Sequence, residues 1–465
     1  MQPVLLIDIG STYTKVLAAD MAEPRILGTA AAHTTVTTGV ADGLEAALAA
    51  LEAKVGPLPY TTRLACSSAA GGLRMVAVGL APSLTEQAAR MACLGAGAKV
   101  VRSFAYRLTE EDVAEIGDIL PDILLLTGGT DGGNADVITH NAAMLAACTA
   151  DFPILLAGNR NAVARCLKVL EGRTVIATEN VMPRLEKLNV APAQAQVRAL
   201  FLERIVHAKG LGPVVERMDG PLLPTPAAVL SAMELLAKGT DTQPGFGDLL
   251  AIDLGGATTD VYSMARGDPA GDEVVLKGLP EPYSKRTVEG DMGMRYSVAG
   301  IADAVGVPWL STHSGLTPED VTAQIARLTQ HPDTLPHTPA ELAFDQALAA
   351  AAIMTATQRH AGTTEIVYTI QGPTVAQTGK DLTEVKRLLL TGGAIVHNPR
   401  ARQVAEYALF DPKAPHSLRP KSVEVYMDSQ YILAAMGLLG QVAPDVALTL
   451  MKKELQHLWN CKTNA

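Results

Sequence analysis

The sequence predicts a duplicated α/β fold on two observations: a strand–turn–strand signature that occurs twice, and strands that alternate with helical stretches along the chain. Residues 6–16 read LIDIGSTYTKV and residues 251–261 read AIDLGGATTDV. Ile7/Ile252, Asp8/Asp253, Gly10/Gly255, Thr14/Thr259 and Val16/Val261 stand at matching places. The hexapeptide LLLTGG follows each copy, at 124–129 and at 388–393. Two matches in the same order imply a duplicated domain. Apolar residues make up 48% of the chain and charged residues 18%, enough for a sizeable core and unlike a disordered chain.

The elements follow from local pattern. Residues 4–9 are an apolar run that ends at Gly10-Ser11-Thr12, after which β-formers resume over 13–19. This predicts a tight hairpin with a buried first strand. Residues 123–126 read as a buried strand leading through a Gly-rich turn into a helix over 135–147. Further strand–helix units follow at 154–157 with 161–170, and at 174–178. The stretch KGTDTQPGFG (238–247) breaks the pattern with Gly, Pro and Thr. Two lobes are therefore expected, 1–243 with the extra strand–helix units and 244–465. Residues 249–254, the turn Gly255-Gly256-Ala257 and residues 258–264 repeat the hairpin. A polar, Pro-bearing stretch at 308–340 reads as an insertion, with helix resuming over 340–360. Residues 388–390, the turn at Gly392-Gly393 and a helix over 398–409 repeat the second design. The uncharged stretch 429–444 is too short, and too rich in Gly, Gln and Pro, to span a bilayer, so it is expected to be a buried helix.

Charge and cysteine usage exclude several classes. The net charge is −10 with no basic block, which argues against a general nucleic-acid or anionic-membrane surface. Cys66, Cys93, Cys148, Cys166 and Cys461 are far apart and form no C-x-x-C pair, so neither a disulfide framework nor a zinc knuckle is expected. The amino-terminal stretch has no basic n-region, and Asp8 interrupts its apolar run. A soluble, cytoplasmic protein is the expectation. No H-x-x-x-H pair and no D-x-H-x-x-G segment occurs, so cobalamin chemistry itself is not expected in this chain.

The turns suggest phosphate chemistry. A Gly-rich turn directly after a buried strand presents successive backbone N–H groups and admits a phosphate without side-chain clash. Asp8 and Asp253, each two residues before a glycine, are placed to hold a hydrated Mg²⁺, which takes one or two protein carboxylates and keeps several waters. Ser11, Thr12, Thr258 and Thr259 add hydroxyls, and Lys15 balances phosphate charge. One such hairpin from each half would clasp a nucleotide tail. Gly392-Gly393-Ala394 suits close backbone approach to a flat or sugar group. A lone hairpin of this kind is most often only a tight turn, with Asp capping it; the duplication favours the phosphate reading. Asp131 in TGGTDGG and Glu179 in ATEN are candidates to position an attacking water, and equally candidates for turn or cap residues.

These segments resemble the superfamily of actin, sugar kinase and heat-shock-chaperone ATPases, which implies a duplicated actin-like (ribonuclease H-like) fold with two lobes around a nucleotide cleft. LIDIGSTYTK is similar to its first phosphate motif and AIDLGGATTD to its second; LLLTGGAIVHNP is similar to its adenosine motif and YILAAMGLL (431–439) to its second connecting helix. TVEGDMGMR (287–295) resembles the segment after the second hairpin of the chaperone ATPases, which implies ribose contact by Glu289 and Asp291. More narrowly, CSSAAGGLRMVAVGL (66–80), LTGGTDGGN (126–134), LLAGNRNA (155–162), ATENVMP (177–183), TVEGDMGMR and QTGKDLTEVK (377–386) resemble the GlmL family, also called MutL and unrelated to the mismatch-repair protein of that name. That resemblance implies a Mg-ATP-dependent ATPase, with ATP/ADP and Mg²⁺ as cofactors. It would act as a reactivating chaperone on the subunits of an adenosylcobalamin-dependent mutase, glutamate mutase or a related aminomutase, exchanging damaged cobalamin. A small-molecule kinase of the same superfamily and a nucleotide-gated actin-like scaffold stay open as alternatives, and so does a homo-oligomeric state.

Overall fold

The computed structural model describes residues 1–10, 13–34, 40–68, 73–208, 211–271, 273–370 and 372–462. By internal contacts the chain forms two units, Met1–Ala232 with Leu433–Leu450, and Met233–Ile432 with Met451–Ala465. Unit 1 begins with β1 (Pro3–Ile9), an almost fully buried apolar strand, followed by antiparallel β2 (Tyr13–Asp20) and β3 (Arg25–His33). The helix Val40–Val55 then crosses over to β4 (Thr62–Ser67), which runs parallel to β1.

At this point the chain leaves the first sheet. β5 (Arg74–Gly79), β6 (Lys99–Ala105), β7 (Ile123–Leu126), β8 (Ile154–Leu156) and β9 (Val175–Ala177) form a separate, all-parallel sheet in the order β6-β5-β7-β8-β9. That is the doubly wound 2-1-3-4-5 order, and its inner strands β7 and β8 are fully buried apolar runs, as expected where helices cover both faces. The chain returns to the first sheet as β10 (Leu223–Pro224), parallel to β4. The first sheet therefore reads β10-β4-β1-β2-β3.

Unit 2 repeats the plan of the first sheet. β11 (Leu249–Leu254) pairs antiparallel with β12 (Thr259–Met264). After β13 (Val274–Leu276), β14 (Ser284–Glu289) pairs antiparallel with β12. β15 (Thr363–Thr369) and β16 (Gly372–Thr378) form a hairpin that joins β13 in a small three-stranded sheet. β17 (Arg387–Thr391) and β18 (Ser422–Met427) continue the main sheet in parallel with β11, and β19 (Gln456–Lys462) closes its edge antiparallel. The order β14-β12-β11-β17-β18 matches β3-β2-β1-β4-β10 strand for strand, with the same parallel and antiparallel neighbours. This is the ribonuclease H-like arrangement, present once in each unit: the duplicated actin-like α/β fold.

One half of the internal repeat needs correcting. The strand LLLTGG of 388–393 is β17, whose Thr391 lies beside Asp253. Its counterpart beside Asp8 is β4, with Cys66 in the matching register. The strand of 124–129 is β7, in the other sheet. An apolar strand ending in Thr-Gly-Gly is a general solution for a buried parallel strand whose chain must turn away sharply, so the repeated hexapeptide carried no positional information. The stretch 308–340 is also more ordered than its composition suggests. It holds the helices Val307–Ser314 and Pro318–Gln330, the latter capped by Thr317 through Asp320 N–H.

The core of unit 2 is built on the helix Pro339–His360, whose run of buried alanines lets it lie close against Leu250, Ile252 and Val261 of the main sheet. At the helix's carboxyl end sits a buried polar chain. His360 is fully buried, with Nε2 2.8 Å from Ser263 Oγ and Nδ1 2.8 Å from Thr287 Oγ1. Lys380, also buried, donates from Nζ to the Tyr283 carbonyl at 2.7 Å. Burial, reinforced by Lys285 and Lys380, holds the His360 pKa well below the ordinary 6.5. Burial pushes Lys380 down to about 7 from 10.5. Both are bases with depressed folded-state pKa values, so the unfolded chain binds more protons and stability falls as pH falls. The Lys380 contribution is lost from about 10.5 down to about 7, and that of His360 below 6.5. Urea unfolding across this range is expected to show both phases. His360→Gln should remove the acid phase and leave the alkaline one.

Candidate functional site

The two hairpins close in the same way. Gly10 N–H donates to the Tyr13 carbonyl at 3.0 Å, and Gly255 N–H donates to the Thr258 carbonyl at 3.0 Å. A Cβ on Gly10 would lie 2.6 Å from the Tyr13 oxygen, and one on Gly255 would lie 2.8 Å from the Thr258 oxygen. Glycine is thus dictated at both turns by the carbonyl across the turn. Ser11 and Thr12 lie outside the described residues, as do residues 69–72 of the segment after β4.

Asp8 and Asp253 are the penultimate residues of β1 and β11 and are half-buried. In unit 1, Asp8 Oδ1 accepts from Thr225 Oγ1 at 2.7 Å and from Cys66 Sγ at 3.4 Å. Burial, with the Asp8 charge beside it, pushes the Cys66 thiol well above its usual range, so it serves as a neutral donor. Lys15 is the cross-strand partner of Asp8 and shares its face of the sheet. In unit 2 that position is taken by Asp260, which accepts from Thr258 Oγ1 at 3.0 Å and pairs with the buried Arg286 at 2.5 Å. Thr259 is buried and donates to the Met292 carbonyl at 2.6 Å, which ties the hairpin to the segment after β14.

That segment grips the second turn. Met294 N–H donates to the Gly255 carbonyl, Arg295 and Tyr296 N–H donate to that of Gly256, and Ser297 Oγ donates to that of Ala257. A Cβ on Gly293 would lie 2.3 Å from the Ala257 carbonyl. Glu289 and Asp291 are joined by Arg359, whose Nη1 donates to Glu289 Oε2 at 2.8 Å and to Asp291 Oδ1 at 2.7 Å. Bonding to these carboxylates, Asp291 first, raises the guanidinium pKa further.

Gly392 supplies a second close approach. Its φ is +98°, and a Cβ there would lie 2.4 Å from the Leu254 carbonyl and 2.7 Å from Asp253 Oδ1. Gly393 and Ala394 follow in the helical turn Gly393–Val396. Tyr431, itself left-handed at φ +56°, is 3.3 Å from His397 Nε2 through its hydroxyl. Burial, then the charges of Asp428 and Asp253, pushes its pKa up. The structure thus assembles Asp253, Gly392, Gly393 and Tyr431 around one end of β11.

Asp131 and Glu179 lie elsewhere, in loops at the carboxyl edge of the parallel sheet. Asp131 Oδ1 accepts from Arg160 N–H at 3.0 Å and Asn180 Nδ2 at 2.9 Å, linking three loops. Glu179 accepts from Asn189 Nδ2 at 3.0 Å. These bonds fit the turn-forming alternative for both. Thr225, Cys66 and Arg359 were missed by sequence reasoning because each meets its carboxylate only through the tertiary fold, and Tyr431 because it meets His397 in the same way.

Fold and hairpins together define a protein of the duplicated ribonuclease H-like class. Within that class the chain belongs to the MutL protein family, whose pattern matches residues 4–455. It is 44% identical over 459 residues to Protein MutL of Clostridium tetanomorphum, covering 98% of this chain and 99% of that one. Among solved structures it is similar to xylulose kinase from Bifidobacterium adolescentis, at 14% identity and TM-score 0.34 over 99% of this chain and 96% of that one. It is also similar to a nucleotide-free diol dehydratase-reactivating factor, at 10% identity and TM-score 0.34 over 95% and 99%. Among the described residues no helix is long and apolar enough to cross a membrane.

The packing of Gly392 is testable without any ligand. Gly392→Ala must relieve a clash with backbone at a left-handed φ, so denaturant unfolding should show a loss of about 1–3 kcal/mol. Gly132→Ala, also at positive φ but with nothing within 4 Å of its Cβ position, should lose less.

Proposed function

We infer that the protein binds and hydrolyses Mg-ATP and uses that cycle to reactivate an adenosylcobalamin-dependent mutase, in the cytoplasm, by driving exchange of damaged cobalamin. The observation that carries the nucleotide part is the matched pair of strand-end carboxylates, Asp8 and Asp253, each followed by a glycine that no other residue can replace without collision. Family membership supports the chaperone part.

The donor set suits Mg²⁺. Among the described residues there is no cluster of three or more His, Cys, Asp or Glu side chains that would hold a metal by themselves. Magnesium bound with a nucleotide needs only one or two carboxylates, the remaining positions being water and phosphate oxygens. Asp8 and Asp253 would hold the ion through its waters, and the ion would neutralise charge developing on the phosphates. Thr225 and Cys66 fix the Asp8 carboxylate by donating to the same oxygen. Lys15 adds positive charge on that face. The turn residues Gly256, Ala257 and Thr258 would supply backbone N–H donors, and Ser11 and Thr12 would add backbone and hydroxyl donors. Gly392-Gly393-Ala394 would take the adenosine. Glu289 and Asp291 would accept from ribose hydroxyls, with Arg359 fixing their carboxylates.

Asp8→Ala and Asp253→Ala are each expected to lower Mg-ATP turnover by at least about 100-fold, the scale of losing one charge-stabilising group. Unchanged turnover in both would remove the site assignment. For the chaperone part, the protein is mixed with an inactivated cobalamin mutase, Mg²⁺ and fresh coenzyme. Mutase activity should return only when ATP is added. Recovery without ATP, or turnover that requires an acceptor and yields a phosphorylated small molecule, would contradict the proposal.

A further inference from the structure

Most sheet edges in this protein are blunted. β10, β9 and β13 are only two or three residues long, and β3, β6 and β19 carry register irregularities. β14 carries Lys285, Arg286 and Glu289. β15 is the exception: seven residues, TTEIVYT, in unbroken register with β16 and with Glu365 as its sole charge. Lys277 already neutralises that charge at 2.7 Å. Natural proteins protect long edges with short strands, bulges, Lys or Pro, so a strand lacking all of these is unprotected as a lone edge.

The same strand bears exposed apolar side chains. Ile366 is 64% exposed, Tyr368 85%, and Ile370 at the hairpin tip is wholly exposed. Val375, the cross-strand partner of Ile366, is 36% exposed and continues the stripe. At about 200 Å² for a large side chain, these expose roughly 500–600 Å², the upper end for a monomer's largest apolar patch.

We propose that this edge is the contact between two copies of the chain, pairing β15 with β15 in antiparallel fashion about a two-fold axis at Val367. The backbone sets the phase. Thr364 N–H donates outward to the His416 carbonyl, so Thr364, Ile366 and Tyr368 turn their backbone groups away from β16. The loop at His416 and Ser417 takes the edge as far as Thr364, and among the described residues it does not reach the outward backbone groups of Ile366 and Tyr368. With Val367 on the axis, Ile366 of each copy faces Tyr368 of the other, and each such pair exchanges two backbone hydrogen bonds. Glu365 then faces Thr369, so no like charges meet. The register is self-complementary, as an isologous interface requires. Edge pairing covers only the flanks of these side chains and adds two such backbone pairs, so the contact lies below a standard interface and a weak dimer that dissociates on dilution is expected.

Sedimentation velocity of the full chain at about 10–100 µM should show a species of twice 48.7 kDa that dissociates on dilution. Tyr368→Lys and Ile366→Lys should each give a monomer with unchanged thermal unfolding, while Tyr368→Phe stays dimeric. All five native cysteines are buried, so Val367→Cys provides a clean geometric readout. Mild oxidation should cross-link it to its own copy, and Val275→Cys, on the far strand of the same sheet, should not cross-link. A wild-type monomer throughout this range would overturn the proposal. So would a dimer indifferent to both lysine substitutions, or one in which Val367→Cys does not cross-link.

Discussion

The structure depends on a carboxylate held at the end of a buried strand, two residues before a glycine whose missing side chain leaves room for the carbonyl across the turn. That constraint acts twice. At Gly10 and Gly255 the space for a Cβ is taken by the Tyr13 and Thr258 oxygens. Everything next to these turns serves to fix them. Thr225 and Cys66 orient Asp8, while Gly392 lets β17's turn lie against Asp253 and the residue 290–297 segment binds the second turn from outside. Rigid placement of a few polar groups on strand ends is what a phosphate site requires, because backbone donors fixed in advance need no reorganisation when charge arrives.

The two hairpins have diverged in how they handle charge. Asp8 faces Lys15 across the ladder, whereas Asp253 faces Asp260, whose charge is absorbed by Arg286. The first hairpin therefore brings a cation to its strand end. In the second, the cation is buried in an ion pair. Removing one partner of such a pair is costly because the other charge stays buried, so Arg286 is a structural requirement of the second hairpin. A duplicated scaffold has in this way kept its backbone and changed its electrostatics.

The hairpins were legible in the sequence because their causes are local: a continuous apolar strand, an aspartate, a glycine and a run of β-formers. The repeat of LLLTGG was misleading for the opposite reason. Its hexapeptide encodes only a buried strand and a sharp exit, and says nothing about the sheet to which the strand belongs. The separate doubly wound sheet was visible only as extra strand–helix units, since sheet membership is decided by pairing over long distances. The supporting residues were equally remote. Thr225 is 217 positions from Asp8, and Arg359 is 70 from Glu289. No spacing rule connects such pairs. The open edge of β15 could be read only once its neighbours were known, because TTEIVYT looks the same in the middle of a sheet as at its border.

Direct nucleotide binding tests the core of this account without relying on turnover or on any partner. ATP is titrated calorimetrically into the full chain in the presence of Mg²⁺, beside Asp8→Asn and Asp253→Asn proteins of matched stability. The account predicts saturable one-to-one binding that weakens markedly in both variants and when Mg²⁺ is chelated. Binding that is equally tight in all three proteins and indifferent to the metal would contradict it, as would no binding by the unsubstituted chain.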